Sequence, residues 1–595
     1  MSAGTQLSPA SDRASFYAIV ALNAGLQALE EKRAATHRLQ SKCADLRPVM
    51  HSPHATLLAK ETLPLLMSQD QSVALLGEAF PKKHKTVEGT VKLLEGDRPN
   101  AAAKAVNESL WGRYTLFCIG RQSGLCAWYR EPSGSQRLYT WRSDTISIVT
   151  DAISPELIAA IGRRPSINWE RVAQLIRQTE MSASFCALNE IEIVQPGMLL
   201  ACSNSRIAST TIWSPERFCA PCRAEEAEQL PKLAAECVSH WLEGHSRVTI
   251  ELSGGLDSSI VAGLLANDPR SPFIQGLTII PESPGGDERA YARSVARKWN
   301  FGLVEARVLP EQLDYLELLG AAPSVEPAVY GLDVLADRLS SELAETFEAT
   351  RILSGQGGDA IFFQPHVSAI AADYFRSQGL TAGLFKIASS IARANNISIW
   401  SVLRSAISSA ASFEQREIPS AIAGPIGRHV WEGERLLHPW NAECQHLPAG
   451  KRLQIAMLTH SQLFHRATRT AANRRLVHPL LSQPIVEACL GIPTWRLVPD
   501  QRERGLTRDL FSKLLPQKVR ARRGKGEASG FYNRVINAHL PELRPILLDG
   551  ALASAGVIAP GLLDTWLTTE HLLWKDDHPT IGALISLEIW ARQWI

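Results

Sequence analysis

The segment that most restricts the fold is a short apolar run, Val248-Thr-Ile-Glu-Leu252, that passes directly into Ser253-Gly-Gly-Leu-Asp-Ser-Ser259. The apolar run predicts a β-strand, and a helix is expected from Ser258 to Ala266. Between them, Gly254 and Gly255 permit positive φ and close approach of backbone to a ligand, and Ser258 and Ser259 are suited to capping the helix. Strand, glycine turn and helix in that order place free amides and the positive end of a helix dipole at one point, which favours an anion. Asp257 falls among those donors, where a carboxylate beside a phosphate requires a cation between them. Mg²⁺ suits that place, because it takes oxygens from one or two carboxylates together with phosphates. A Walker loop is excluded, since the chain contains no Gly-x-x-x-x-Gly-Lys-Ser/Thr.

The flanking sequence predicts the same architecture. After the first unit come an expected strand over Phe273–Ile280, a helix over Asp287–Trp299, a strand over Leu303–Val308 and another ending at Arg351-Ile-Leu353. Such alternation predicts a parallel sheet covered by helices. Beyond about Val367 the periodicity is helical to the C-terminus. Ahead of it, residues 1–215 are rich in short apolar runs and turn signals, such as Tyr114–Ile119, Pro132-Ser-Gly134 and Pro196-Gly197. A changeover at Trp213–Cys222 leads into helical periodicity from Ala224 to Glu243, so the expected domains are 1–215 and 224–595. At 595 residues, two or three domains are expected.

Composition excludes several classes. With 62 basic against 60 acidic residues and a net charge of +2, there is no basic excess for nucleic acid. No run of 18 apolar residues predicts a membrane-spanning helix. The apolar stretch Ser15–Leu22 follows Asp12 and Arg13 and lacks a basic n-region, so it is expected to be a strand and not a secretion signal. The ten cysteines are then expected to stay reduced in the cytoplasm. Cys219-Ala-Pro-Cys222 has only Cys237 after it and lacks the second ligand pair of a zinc site, and the spacing of His460 and His465 does not suit one helical face.

A second glycine turn follows the strand at residue 353: Ile352-Leu-Ser-Gly-Gln-Gly-Gly-Asp359. In an open α/β sheet both turns lie at the carboxyl ends of strands, where ligands bind, so Asp257 and Asp359 are expected to share Mg²⁺ and pyrophosphate. A third element, Arg520-Ala-Arg-Arg-Gly-Lys525-Gly, brings a lysine between glycines. It can reach developing negative charge on an acyl phosphate, with Arg522 and Arg523 as supporting or surface charges.

Ser253–Ser259 is similar to the pyrophosphate loop of enzymes that cleave ATP between the α and β phosphates. Together with Leu353–Asp359 and Lys525 it resembles the synthetase domain of asparagine synthetases, a superfamily that includes β-lactam synthetases and lasso-peptide macrolactam synthetases. The front half resembles their glutaminase-type (Ntn) sandwich at Leu110-Trp-Gly-Arg-Tyr114, Tyr129–Gly134, Leu138-Tyr139 and Ile193–Gly197. The resemblance implies an Ntn-type β-rich sandwich followed by a pyrophosphate-loop α/β synthetase domain with a helical C-terminal region. It also implies ATP and Mg²⁺, with ATP held by Leu252, Ser253, Gly254, Gly255, Leu256, Asp257, Ser258, Ser259, Thr278, Ser354, Gly355, Gln356, Gly357 and Gly358. The base is expected near Leu252 and Thr278, the metal on Asp257 and Asp359, and Lys525 against the anionic transition state.

Departures from the family pattern point to one branch. A working glutaminase carries cysteine directly after the initiator Met; here Ser2 stands there and the first cysteine is Cys43. Gln356 occupies a loop position where asparagine synthetases carry Glu and β-lactam synthetases Tyr, and a neutral amide is no general base. Arg475 falls where asparagine synthetases have Glu, and Ala360 replaces the usual acidic residue after Gly-Gly-Asp. The combination most resembles lasso-peptide cyclases. That implies adenylation of an Asp or Glu side chain in a leader-free core peptide, attack by the peptide's N-terminal amine, and a leader-removing cysteine protease as partner. Asparagine synthetase and β-lactam-type cyclase are the alternatives. The sequence does not place a general base for the amine; Glu326 and Tyr330 precede the second loop, a nearness in sequence only.

Overall fold

The computed structural model describes residues 14–595 except 83–84, 121–123, 204–205, 283–285, 314–322, 328–330, 366, 412–424, 426–433, 466–474, 500–501, 523, 525 and 527–528. Tyr330, Arg523, Lys525 and the N-terminal Ser2 therefore lie outside the described residues.

The front half contains two six-stranded antiparallel sheets. One runs, edge to edge, through Ile191–Ile193, Tyr139–Arg142, Ile146–Thr150, Phe16–Ala21, Ala55–Lys60 and Leu46–His51. The other runs through Arg206–Thr211, Met198–Ser203, Cys126–Arg130, Leu110–Ile119, Val73–Pro81 and Leu65–Met67. Phe16, Ala18, Val20 and Leu57 from the first meet Phe117, Trp128 and Leu200 from the second in one core. The outer faces are covered too. Tyr17, Ile19 and Ile148 pack with Ala35, Leu39 and Leu157 of helices Leu26–Lys42 and Pro155–Ile161. Leu75, Tyr114, Leu116 and Tyr129 pack with Val91, Ala103 and Val106 of helices Val87–Lys92 and Pro99–Ser109. The result is a four-layer α/β/β/α sandwich. It explains why Phe16–Ala21 is apolar throughout instead of alternating: both faces are buried.

The rear half is built on a five-stranded parallel sheet. Its strands, in chain order, are β1 (Arg247–Glu251), β2 (Phe273–Pro281), β3 (Gly302–Val308), β4 (Arg351–Leu353) and β5 (Leu476–Val477), and they lie in the order β3-β2-β1-β4-β5. Helices α1 (Leu256–Ala266) and α2 (Arg289–Trp299) bury Ile260, Val261, Leu264, Ala292 and Val295 against Val248 and Ile250 of β1. Helix α3 (Gly331–Thr346) lies over the other face, where Ser340 Oγ donates to Glu251 at 2.6 Å. The strand order reverses between β1 and β4, and Ile250 of β1 stands opposite Leu353 of β4. Both glycine turns leave the sheet there, at the same level. A doubly wound sheet opens its ligand crevice at such a reversal.

The structure differs from the sequence reading in two respects. The C-terminal region is helical except for β5, a two-residue strand that completes the sheet beside β4. The two halves also share a core. The last helix, His578–Trp594, packs Ile581, Leu584, Ile585 and Trp590 into the cluster that lies under the first front sheet. Among the described residues no helix is long and apolar enough to cross a membrane, and the ten cysteines form no disulfide.

Candidate active site

The first turn is shaped by its glycines. Gly254 adopts φ +75°, and a Cβ there would collide with Tyr291 and the backbone of Ala292 in α2. The residue before α1 is Gly255, which caps the helix with no side-chain hydrogen bond. The expectation that serines cap this helix is not met. Ser258 and Ser259 lie within its first turn, and Ser259 Oγ donates back to the Gly255 carbonyl at 2.6 Å. The opening amides of α1 thus face the turn without a side chain across them, the arrangement an incoming anion needs.

The second turn closes onto the first. A Cβ on Gly358 would overlap the Asp257 carboxylate, and one on Gly355 would overlap the backbone of Asp257 and Ser258. Only glycines allow the turns to touch in this way. The contact places both aspartates on one cation. Arg504 Nη1 donates to Asp257 Oδ2 at 2.6 Å and also to Asp359 Oδ1, while its Nη2 donates to Glu503 at 2.7 Å. Arg504 is 5% exposed and sits at φ +52°, ψ +39°, at the start of helix Gly505–Leu510. A left-handed non-glycine residue costs about 1 kcal/mol or more. Burial works against the guanidinium charge, but Asp257, Asp359 and Glu503 outweigh it and raise its pKa. Sequence reasoning missed this residue.

A hydrogen-bond chain fixes the second turn from behind. His478 Nε2 lies 2.8 Å from the carbonyl of Phe464, which can only accept, so that nitrogen carries the proton. Nδ1 is then the acceptor for Ser354 Oγ at 2.7 Å, and Ser354 Oγ in turn accepts from the Gln356 amide at 3.2 Å. Burial pushes His478 down to about 4, so the ring stays neutral and keeps this tautomer near pH 7.

The two turns form the floor of a cleft with a volume of about 530 Å³. Leu252, Ser253, Gly255, Leu256, Asp257, Ser258, Ser354, Gly355, Gln356, Gly357 and Asp359 line it, as do Arg504, Arg508 and Arg522. Glu251, Leu277, Ile279 and Ala336 close one side. Met457, His460, Leu463 and Phe464, with Glu180 from the front half, close another. Arg522 packs over the Tyr291 ring at 4.3 Å and pairs with Glu288. Burial pushes the His460 imidazole down, with Glu180 opposing, and burial raises the Glu251 carboxyl.

Four of the expected nucleotide residues do not line the cleft. Thr278 is the clearest correction. Side chains alternate along β2, so Leu277 and Ile279 face the cleft and Thr278 is buried on the α1 side. Ser259 is fully buried within α1, Gly254 abuts α2, and Gly358 abuts Asp257. Glu326 does not line the cleft either. It is buried at the junction of the halves, where it accepts from Arg137 at 2.6 Å and Tyr139 at 2.9 Å. Arg475 offers its carbonyl to the Ile352 amide beside β5.

The donor set fits Mg²⁺. Two carboxylate oxygens are reached by a single guanidinium nitrogen, so they converge on one cation position, with the opening amides of α1 beside them. Among the described residues no group of three or more His, Cys, Asp or Glu is placed to hold a metal by protein ligands alone.

A parallel sheet with two touching glycine turns at its reversal point, two converging carboxylates and three arginines defines a nucleotide-type anion cradle. Residues 229–592 match the family described as Asparagine synthase, and the chain belongs to that family, whose members are ATP-dependent amide-bond ligases. No curated protein matches the chain. Among solved structures it is similar to the U34-tRNA thiolase NcsA from Methanococcus maripaludis with its [4Fe-4S] cluster, at 16% identity and a TM-score of 0.19. That match covers 28% of this chain and 55% of the thiolase, so the chain spans about half the length of that protein.

Proposed function

We propose that this chain is an ATP-dependent macrolactam synthetase. In this reading it adenylates an Asp or Glu side chain of a leader-free lasso-type core peptide, and the peptide's N-terminal amine then closes the ring with release of AMP. The observation that carries the ligase part is the convergence of Asp257 and Asp359 on one cation position at the mouth of two glycine turns. The base would lie between Glu251, Leu277, Ile279 and Ala336, with the phosphates over the opening amides of α1. Mg²⁺, when bound, supplies charge neutralisation for the departing pyrophosphate. Arg504, Arg508 and Arg522 add fixed positive charge along the same path. Lys525 is assigned to the anionic transition state by its motif.

The peptide part rests on the far wall. Met457, Leu463 and Phe464 offer an apolar surface, with Glu180, His460 and Ser461 as its polar groups. That surface suits the side chains of a folded peptide. Gln356 cannot take the amine proton, whereas the neutral imidazole of His460 on the same wall can. Holding amine and acyl adenylate together converts closure into an intramolecular step, with effective molarities on the order of 10⁵ M or more.

The front sandwich is read as a glutaminase-type domain without activity. A cavity of about 100 Å³ between the halves is lined by Ser133, Ser135, Arg113, Arg137 and His465. The amine then comes from the peptide. A leader-removing cysteine protease is the expected partner.

The test is product formation with a peptide that has a free N-terminus and an internal Asp or Glu. AMP and pyrophosphate release coupled to loss of one water from the peptide is expected. Aspartate-dependent AMP formation with ammonia or glutamine, and none with peptides, would replace this reading with asparagine synthesis.

A further inference from the structure

Arg504 occupies the position between Asp257 and Asp359 that a divalent cation would need. One of its nitrogens bonds both carboxylates, and it is 5% exposed. A metal ion entering this pair alone must either displace a buried guanidinium from three carboxylates or sit beside its positive charge. Both are unfavourable. A metal–triphosphate complex meets a different balance. Its phosphate oxygens give the guanidinium new partners, which arginine binds through its planar fork, and so free the carboxylates for the metal. Arg504 Nε is buried with no hydrogen-bond partner among the described residues, a donor still available to an incoming phosphate. The left-handed backbone at Arg504 holds the guanidinium where both partners are within reach.

We propose that Arg504 is an internal counter-ion that closes the Asp257–Asp359 pair to free divalent metal and yields it to a metal–nucleotide complex, moving onto the phosphates as it does so. The proposal rests on the nucleotide reading of the cleft for its second half only. Metal exclusion by Arg504 depends on the ion geometry alone.

Mn²⁺ binding to the full-length protein without nucleotide, followed by the electron paramagnetic resonance of the free ion, tests the first half. Arg504→Gln is expected to bind Mn²⁺ at least about tenfold more tightly than wild type. Arg504→Lys keeps the charge but loses the fork that also reaches Glu503, so it should fall between them. The gain should vanish in Arg504→Gln/Asp257→Asn, which locates the ion on the aspartates. Should the glutamine variant not fold, the wild-type-to-lysine step still carries the test. Equal Mn²⁺ affinity in all three proteins, or a gain that survives loss of Asp257, overturns the proposal. Calorimetric titration of wild type with Mn²⁺ and ATP is a separate arm. If ATP does not bind there, the nucleotide reading fails while the exclusion result stands. If ATP binds equally to wild type and Arg504→Gln, the guanidinium does not move onto the phosphates and the second half fails.

Discussion

Two ion clusters sit at the two ends of β4, one centred on a cation and the other on an anion, and the cation has Glu503 as a third partner. In the cleft, Asp257 and Asp359 flank Arg504. At the junction of the halves, Arg113 and Arg351 flank Glu78, with Arg113 bonded at 2.7 Å and both guanidiniums over the Trp241 ring at 5.8 Å. Burial alone would raise the Glu78 carboxyl, but the two arginines hold it well below the usual carboxylate range. The difference is access. Asp359 is 36% exposed at the cleft, whereas Arg113 and Arg351 are 7% and 5% exposed beneath strands from both halves. Both central charges are buried, and it is the flanking Asp359 that solvent and ligands can reach. Around Glu78 the flanking arginines are the sealed groups, and the cluster ties the front strands Val73–Pro81 and Leu110–Ile119 to β4. The same kind of pairing therefore borders an open cleft in one place and joins the two halves in the other.

The largest expected effect breaks the functional half of this comparison. Asp257→Asn should lower ATP–pyrophosphate exchange by about 10³-fold or more, which is ~4 kcal/mol of activation free energy. Its thermal midpoint should move little, because Arg504 keeps Asp359 and Glu503. Retained exchange would show that the pair is structural in the cleft as well.

Glu78→Gln tests the other half. It leaves two buried guanidiniums without their central charge, and breaking such a pair costs about 3 kcal/mol or more. Chemical denaturation should show that loss, while the folded fraction still binds nucleotide. The acid dependence carries a sign. The folded-state pKa of Glu78 lies below its unfolded value, so its contribution is full above the ordinary carboxylate range and disappears as pH falls through that range and below it. The gap between wild type and Glu78→Gln should therefore narrow on acidification. A gap that widens there would contradict the assignment.

Support behind the second turn gives a smaller effect. Replacing His478 by Asn removes both the acceptor for Ser354 and the donor to Phe464. Outer-layer partners of this kind are worth about tenfold or more, so exchange should fall by about that factor. The loss should be flat between pH 6 and pH 8, roughly, because a ring held near 4 does not titrate there. A pH-dependent loss in that window would mean that the ring is charged.

What the sequence could disclose follows from how local each feature is. The two glycine turns are written in contiguous residues, and period-2 and helical patterns placed them after strands. Parallel-sheet geometry then implied that Asp257 and Asp359 meet. Arg504 carries no such signature. It lies in Glu503-Arg504-Gly505, far from either turn in sequence, and its left-handed φ is imposed by tertiary contacts. Thr278 shows the complementary failure. An apolar run identifies β2, but which parity faces the cleft depends on what packs on each side. β5 is too short to register within a helical stretch. The return of helix His578–Trp594 to the front sheet is invisible because periodicity shows that a face is buried without showing against what. Glu326 is near the second loop in sequence only, and its arginine partner comes from residue 137, in the front half.

A third buried carboxylate sharpens the comparison, because it has hydrogen bonds but no guanidinium in contact. Asp373 accepts from the Gly450 amide at 2.7 Å and from Thr494 Oγ1 at 2.8 Å, and burial raises it to about 6 despite those bonds. Its sign is opposite to that of Glu78. The stability it contributes is full below the unfolded aspartate range and is lost as pH rises through about 6, since the folded state then holds a buried charge. Asp373→Asn keeps an acceptor for Gly450 and can donate to Thr494, so it should be nearly neutral at acidic pH. At pH 8, roughly, it should stabilise the protein by about 1 kcal/mol, a fraction of what the shift allows once relaxation is included. Thermal melts of both proteins at the two pH values measure it. If the asparagine variant were instead less stable at the higher pH, the neighbouring Lys451 would be compensating the charge at Asp373 much as Arg113 and Arg351 do at Glu78, and hydrogen bonds alone could no longer be separated from ion pairs in this protein's interior.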